Sequence, residues 1–279
     1  MNAYISAPDG GALRNLGTLG GTNSYAYRVN DAGQVTGSSQ TFGDTQIHAF
    51  LSDINAGSLK DLGTLGGTNS FAEAANSSGQ VTGVSYTTGN LAYHAFLSDA
   101  NGGTLHDLGT LGGTNSYGIG VSASGQVAGE SDIAGNSAIH AFLSGANGGT
   151  LVDLGTLGGT NSHVSAENTS GQVVGSSDIA GDVAQHAYVY SGGVMTDLND
   201  LIDPSLGFTL ISAYGISDNG YIVGYGRLKN VPNPANVEGF LLTPTDFSSV
   251  PEPSTLISSV IGLLSGVIVL RLSRSGKAD

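Results

Sequence analysis

Four histidines, His48, His94, His140 and His186, recur every 46 residues inside the phrase His-Ala-Phe/Tyr. One imidazole per unit could converge on a zinc or copper ion. The more economical reading is structural: each ring bonds neighbouring groups through its two nitrogens, and it recurs because the unit recurs. His106 and His163 occur once each and read as surface residues. Glu73, Glu130 and Glu167 interrupt the repeat singly. A facing pair of carboxylates would be glycosidase machinery, but solvated surface positions explain them more simply. Asp132 and Asp178, both in Ser-Asp-Ile-Ala-Gly, invite a calcium reading. Hard cations want roughly six to eight oxygens, and no dense Asp-x-Asp-x-Asp-Gly loop is present, so these two read as turn residues. No nucleophile elbow, His-Glu-x-x-His or phosphate loop is found. The expectation is a protein that is not an enzyme and holds no cofactor, with Ca²⁺ the one weak candidate.

Composition narrows the classes further. The 279 residues carry a net charge of −14, and residues 1–250 hold 5 basic and 20 acidic groups, a net of −15. Such a surface repels phosphate backbones, so nucleic acid is excluded as a partner. There is no cysteine, hence no disulfide framework and no zinc–thiolate site. Glycine is abundant at 45 residues, but without the every-third spacing of collagen.

The elements that would position these groups come from one repeated unit. Leu-Gly-Thr-Leu-Gly-Gly-Thr-Asn-Ser stands at Leu16–Ser24, Leu62–Ser70, Leu108–Ser116 and Leu154–Ser162, each 46 residues after the last. A fixed period of this kind marks an array of one supersecondary unit. Within it, Ala49–Ser52, Ser58–Gly63, Ser70–Asn76 and Gln80–Ser85 read as four short strands bounded by Gly, Asn, Asp or Ser. Before the fourth piece, Asn30–Gly33, Asn76–Gly79, Ser122–Gly125 and Asn168–Gly171 predict a hairpin whose last residue has positive φ. A worn fifth copy follows, with Asp197–Leu201 and Gly215–Gly220 replacing the two markers, as terminal repeats commonly do. Four strands in 46 residues is the size of a β-propeller blade; a β-solenoid is the second choice. Residues 1–247 are therefore expected to be all-β, a β-propeller-like array of about five four-stranded blades.

Three phrases together carry a resemblance: His-Ala-Phe-Leu, Asp-Leu-Gly-Thr-Leu-Gly-Gly, and Asn-Asp-Ala-Gly-Gln-Val-Thr-Gly at Asn30–Gly37. Over roughly residues 3–243 the chain resembles the HAF repeat family of bacterial extracellular proteins. The resemblance implies a secreted, propeller-like protein and supplies no catalytic residues. Residues 248–279 resemble a second family, the PEP-CTERM sorting signal recognised by an exosortase in Gram-negative bacteria. Pro251, Glu252 and Pro253 match the motif, Leu256–Leu270 the apolar run, and Arg271, Arg274 and Lys277 the cytoplasmic basic cluster. Independently of the family, a run of 15 residues makes a helix about 22 Å long against a bilayer core of about 30 Å. That is short for a permanent span, though a transmembrane helix over about 255–272 is expected. A buried amphipathic helix is disfavoured because no polar stripe is visible. The basic residues put the repeats outside the cytoplasm.

The first residues, Met1–Ile5, show no signal-peptide pattern, yet Ala3-Tyr4-Ile5 is in phase with Ala49-Phe50-Leu51. The expectation is that the start is misassigned or the sequence is a fragment. Copies differ at Tyr27/Glu73/Ile119/Ser165, Arg28/Ala74/Gly120/Ala166 and Gln40/Tyr86/Asp132/Asp178. Variation on a constant frame is what a binding surface would show, and also what indifferent drift would show. The combined reading is an exported, non-enzymatic repeat protein. It is inserted in the inner membrane by its tail, then sorted to the cell surface or matrix, where it binds exopolysaccharide or surface proteins. A glycan-active propeller enzyme is the first alternative. An ice-binding protein is the second, since similar tails occur on such proteins and Thr recurs regularly.

Overall fold

The computed structural model describes residues 1–6, 11–53, 57–229 and 237–244, and the backbone of 267–271. The chain divides into two compact units. The first is Met1–Leu154 with Thr169–Gly171, and the second is Gly155–Asn168 with Gln172–Asp279.

In the first unit, β1 (Ala3–Ile5) and β2 (Arg14–Gly17) form a two-stranded antiparallel sheet. Next comes a meander of β3 (Gly20–Val29), β4 (Val35–Thr41), β5 (Ile47–Ser52) and β6 (Leu59–Asp61). The pattern repeats as β7 (Gly66–Ala75), β8 (Val81–Thr87), β9 (Tyr93–Ser98) and β10 (Leu105–Asp107). It repeats again as β11 (Gly112–Val121), β12 (Val127–Ile133), β13 (Ile139–Ser144) and β14 (Leu151–Asp153). A single parallel bridge, Ile47 to Asn69, links the first two meanders.

The second unit holds β15 (Gly158–Glu167), β16 (Val173–Ile179), β17 (Gln185–Ser191) and β18 (Val194–Asp197). After two 3₁₀ turns come β19 (Phe208–Ile216), β20 (Ile222–Leu228) and β21 (Glu238–Thr243). Leu198, in the first of these turns, is buried in a core with Phe208, Leu210 and Phe240.

The nonapeptide phrase joins one sheet to the next. In the second to fourth copies its first Leu directly follows a fourth strand, and its Gly-Gly begins the following first strand. In the second copy Leu62 is buried and Gly63 and Gly66 take φ of +70° and +96°, open to Gly without steric cost. Thr64 Oγ1 donates to the Gly67 carbonyl at 2.9 Å. Ser70 stitches two sheets together: its hydroxyl donates to the Gly63 carbonyl at 2.5 Å and accepts the Ala49 amide at 2.8 Å. The same bonds recur at Ser24 and Ser116. Between sheets lie small apolar cores, such as Ala49, Leu51 and Leu62 against Ala72, Val81 and Phe96.

The hairpin between first and second strands closes by the Gly79 amide donating to the Asn76 carbonyl at 2.9 Å, with Gly79 at φ +73°. Asn76 Nδ2 then reaches 3.0 Å to the carbonyl of Ser122, the corresponding residue one sheet on. Asn30 does the same to Asn76 at 2.8 Å.

The tail departs from expectation. Val267–Arg271 is a fifth-sheet strand, β22, paired parallel with β21 from Gly239–Val267 to Thr243–Arg271. The helix expected over about 255–272 is therefore replaced by strand at these five residues. The run Val267-Ile268-Val269 is β-branched and favours extended backbone, and β21 offers it an unpaired edge. The rest of that expected helix, with Pro251, Glu252, Pro253, Arg274 and Lys277, lies outside the described residues. Among the described residues no helix is long and apolar enough to cross a membrane.

Candidate functional site

Each long first strand carries a β-bulge at the same place. On β7 the register slips between Ala72 and Ala74, leaving Glu73 as the extra residue. On β3 it is Tyr27 and on β11 Ile119; in the second unit it is Ser165 and Tyr214. A bulged residue is unpaired and its side chain is re-aimed. Opposite the bulge stands a Gly, such as Gly83, where an added Cβ would collide with the Phe71 carbonyl oxygen. The frame thus holds one position per blade whose residue type the ladder does not dictate.

In the first unit these positions build an open pocket of ≈ 350 Å³. The first strands β3, β7 and β11 lie side by side, and their Tyr27, Phe71, Glu73 and Tyr117 line it together with Val84, Tyr86 and Tyr93 of β8 and β9. The Tyr86 and Tyr93 ring centroids are 6.0 Å apart with planes at 66°, an edge-to-face corner. The Tyr117 hydroxyl donates to Glu73 Oε1 across the blade boundary. Glu73 Oε2 has no hydrogen-bond partner among the described residues. Tyr27 Oη and Ser38 Oγ are 2.7 Å apart.

Burial, then the bond to Glu73 and its negative charge, hold the Tyr117 phenol well above the usual range, opposed in part by Arg28. Burial also raises Tyr93, helped by the charge of Asp132. Both rings remain neutral phenols through the physiological range.

The phased histidines lie elsewhere, on third strands. His48 Nδ1 pairs with Asp61 at 2.9 Å, His94 with Asp107 at 2.8 Å, and His140 with Asp153 at 2.8 Å. In the second unit His186 pairs with Asp197 at 2.6 Å. Asp61 and Asp107 also cap the turn that follows, each accepting a Gly amide at 2.8 Å. His106 Nε2 meets Asp99 at 2.8 Å on an exposed surface. No group of three or more potential metal ligands occurs among the described residues.

Asp132 and Asp178 each accept two bonds from an Asn of the nonapeptide, Asn115 at 3.0 and 3.1 Å and Asn161 at 2.9 and 3.0 Å. Of the three candidate glutamates, Glu73 alone lines the pocket. Sequence variation marked Tyr27, Glu73 and Tyr86, but not Phe71, Tyr93 or Tyr117. Comparing Tyr25/Phe71/Tyr117/His163 and Ile47/Tyr93/Ile139/Gln185 across the copies would have found those three.

Meanders of four antiparallel strands with an inter-sheet core define the β-propeller class of fold. No family model and no curated relative matches the sequence. Solved structures do match. The β-propeller domain of the Trilobed protease from Pyrococcus furiosus superposes with a TM-score of 0.55 at 12% identity, over 85% of this chain and 73% of that one. TolB from Acinetobacter baumannii gives 0.52 at 13%, over 86% and 56%. Puromycin hydrolase gives 0.51 at 12%, over 85% and 39%. The likeness establishes the propeller fold.

Proposed function

We propose that the chain is a non-enzymatic, extracytoplasmic repeat protein of the HAF type that binds polysaccharide in the pocket of Tyr27, Phe71, Glu73, Tyr86, Tyr93 and Tyr117. Its tail acts as a PEP-CTERM signal handled by an exosortase, which delivers the repeats to the surface or matrix of a Gram-negative bacterium; insertion in the inner membrane requires Val267–Arg271 to leave the edge of β21. One observation carries the binding reading: the aromatic rings and the carboxylate gather where the copies differ, on a frame that is otherwise nearly invariant. Rings of this kind stack on the apolar faces of sugars, and a few polar groups fix orientation.

A single lining carboxylate favours binding over hydrolysis, because glycosidases flank the scissile bond with two. The ice-binding alternative is weakened by the threonines. Thr18, Thr64, Thr110 and Thr156 are tied by their hydroxyls to glycine carbonyls at 2.8–2.9 Å, so they offer no free hydroxyl array.

Glycan-array binding of the full chain, with and without Ca²⁺, tests the reading. Retention of at least one glycan, lost on Tyr86→Ala, is expected; binding to none would overturn the polysaccharide assignment. Fractionation of the native host tests the address. A cytoplasmic product with its tail intact would overturn the sorting assignment.

A further inference from the structure

The charge in the pocket lining is one-sided. The Tyr117 hydroxyl is spent on Glu73 and that of Tyr27 faces Ser38. The hydroxyls of Tyr86 and Tyr93 also belong to lining residues and can donate or accept, and the one charged group in the lining is Glu73, whose Oε2 can only accept. Five aromatic rings line the same pocket, and an aromatic face carries the negative lobe of the ring quadrupole. A carboxylate amid aromatic faces attracts a cation, and cation–π attraction acts within about 6 Å of a ring centroid. The wider field has the same sign, with residues 1–250 at a net of −15. Arg28, exposed beside Tyr27, is close enough to oppose the Tyr117 shift but does not line the pocket.

We infer that this pocket is a receptor for an ammonium group, and that the polysaccharide it takes is one bearing free amino sugars, with Glu73 the specificity-determining residue. The inference rests on the polysaccharide reading above for the carrier, and on the aromatic cage for the charge. A uronate polymer would place like charge against Glu73 and be refused. N-acetylation removes the charge and leaves only stacking.

Calorimetric titration of the full chain decides it, using the glucosamine tetramer, its N-acetylated form, cellotetraose, a galacturonate tetramer and choline. The glucosamine tetramer is expected to bind at least about tenfold tighter than the acetylated or neutral tetramers. Glu73→Gln, which keeps an acceptor for Tyr117, should abolish that preference without lowering the melting temperature. Arg28→Gln leaves the cage untouched and should tighten glucosamine binding about twofold. Equal binding of acetylated and free tetramers, or a preference that survives Glu73→Gln, overturns the inference. Neutral tetramers bound equally well, and lost on Tyr86→Ala, would leave the polysaccharide reading standing while removing the ammonium one. Choline bound in a Glu73-dependent way, with every sugar refused, would keep the ammonium receptor and remove the polysaccharide reading.

Discussion

Asn76 is the residue on which two neighbouring blades depend, and the array contains its own control. Its side chain accepts the Ser78 and Gln80 amides at 3.1 and 3.0 Å and the Ser78 hydroxyl at 2.8 Å, and donates to Gln80 Oε1 at 2.9 Å and the Ser122 carbonyl at 3.0 Å. Asn76→Ala removes all five bonds. Ser78 is exposed, so its amide regains water and its loss is small. The Ser122 carbonyl belongs to a buried residue, and the Gln80 amide loses its partner inside the turn. With about 1 kcal/mol net per bond, and more where a buried group is left unpaired, the total is about 3 kcal/mol. Asn76→Ser should cost less. The third blade carries Ser122 at this position, and its hydroxyl accepts the Gln126 amide at 3.1 Å. The serine therefore keeps the acceptor for the hairpin amide and forfeits the two Nδ2 donations, to Gln80 Oε1 and to the next blade, about 1–2 kcal/mol. Urea denaturation of the full chain, followed by tyrosine fluorescence, measures both. A loss below about 0.5 kcal/mol for Asn76→Ala would refute the clasp, as would equal losses for the two variants.

Gly83→Ala should cost about 3 kcal/mol, because its Cβ would meet the Phe71 carbonyl with no flexible atom to yield; thermal unfolding measures it. The bulge at Glu73 should go with it, so ligand binding falls further than stability alone explains. Tyr117 gives an alkaline signature. Its folded pKa lies above the ordinary 10.0, so beyond that pH the unfolded state releases its proton first and the folded state binds more protons. The stability slope is then negative: the contribution is complete below pH 10.0 and is lost as pH rises towards the folded pKa. Phenolate absorbance should show tyrosine that resists titration beyond the ordinary 10.0, with one such residue fewer in Tyr117→Phe while the raised Tyr93 remains. For the His–Asp pairs, a double-mutant cycle on His94→Asn and Asp107→Asn should return a coupling of about 0.5–1 kcal/mol at neutral pH. A coupling of zero would leave only the Asp turn cap.

Much of the fold could be read from the period, because each recurring residue has a local duty. Gly79 must take positive φ, Ser70 must bridge two backbones, and Phe96 must fill the gap between sheets. The first strand proved harder. Ser70–Asn76 was expected, whereas β7 starts at Gly66, since Gly-Gly-Thr-Asn has turn composition yet is held extended. Asn90, at φ +57°, does this from the next hairpin by accepting the Thr68 amide at 2.9 Å. That is a tertiary bond no window of sequence contains. The histidine pairs were half legible: Asn2 and Asn15 occupy the positions equivalent to His48 and Asp61, so both partners are missing together, as members of a pair would be.

The pocket was least legible because duplication hides function in its exceptions. A bulge frees one residue per blade from pairing, and the opposing Gly gives it room, so the invariant positions are what allow the variable one to vary. Drift on such a site would scatter residue types among blades. What stands around Glu73 is instead an acceptor in a wall of rings drawn from three blades, including Tyr117, 44 residues away and hydrogen-bonded to it. The carboxylate of Glu73 and the phenol of Tyr117 meet across a blade boundary, at positions whose residue type differs from copy to copy.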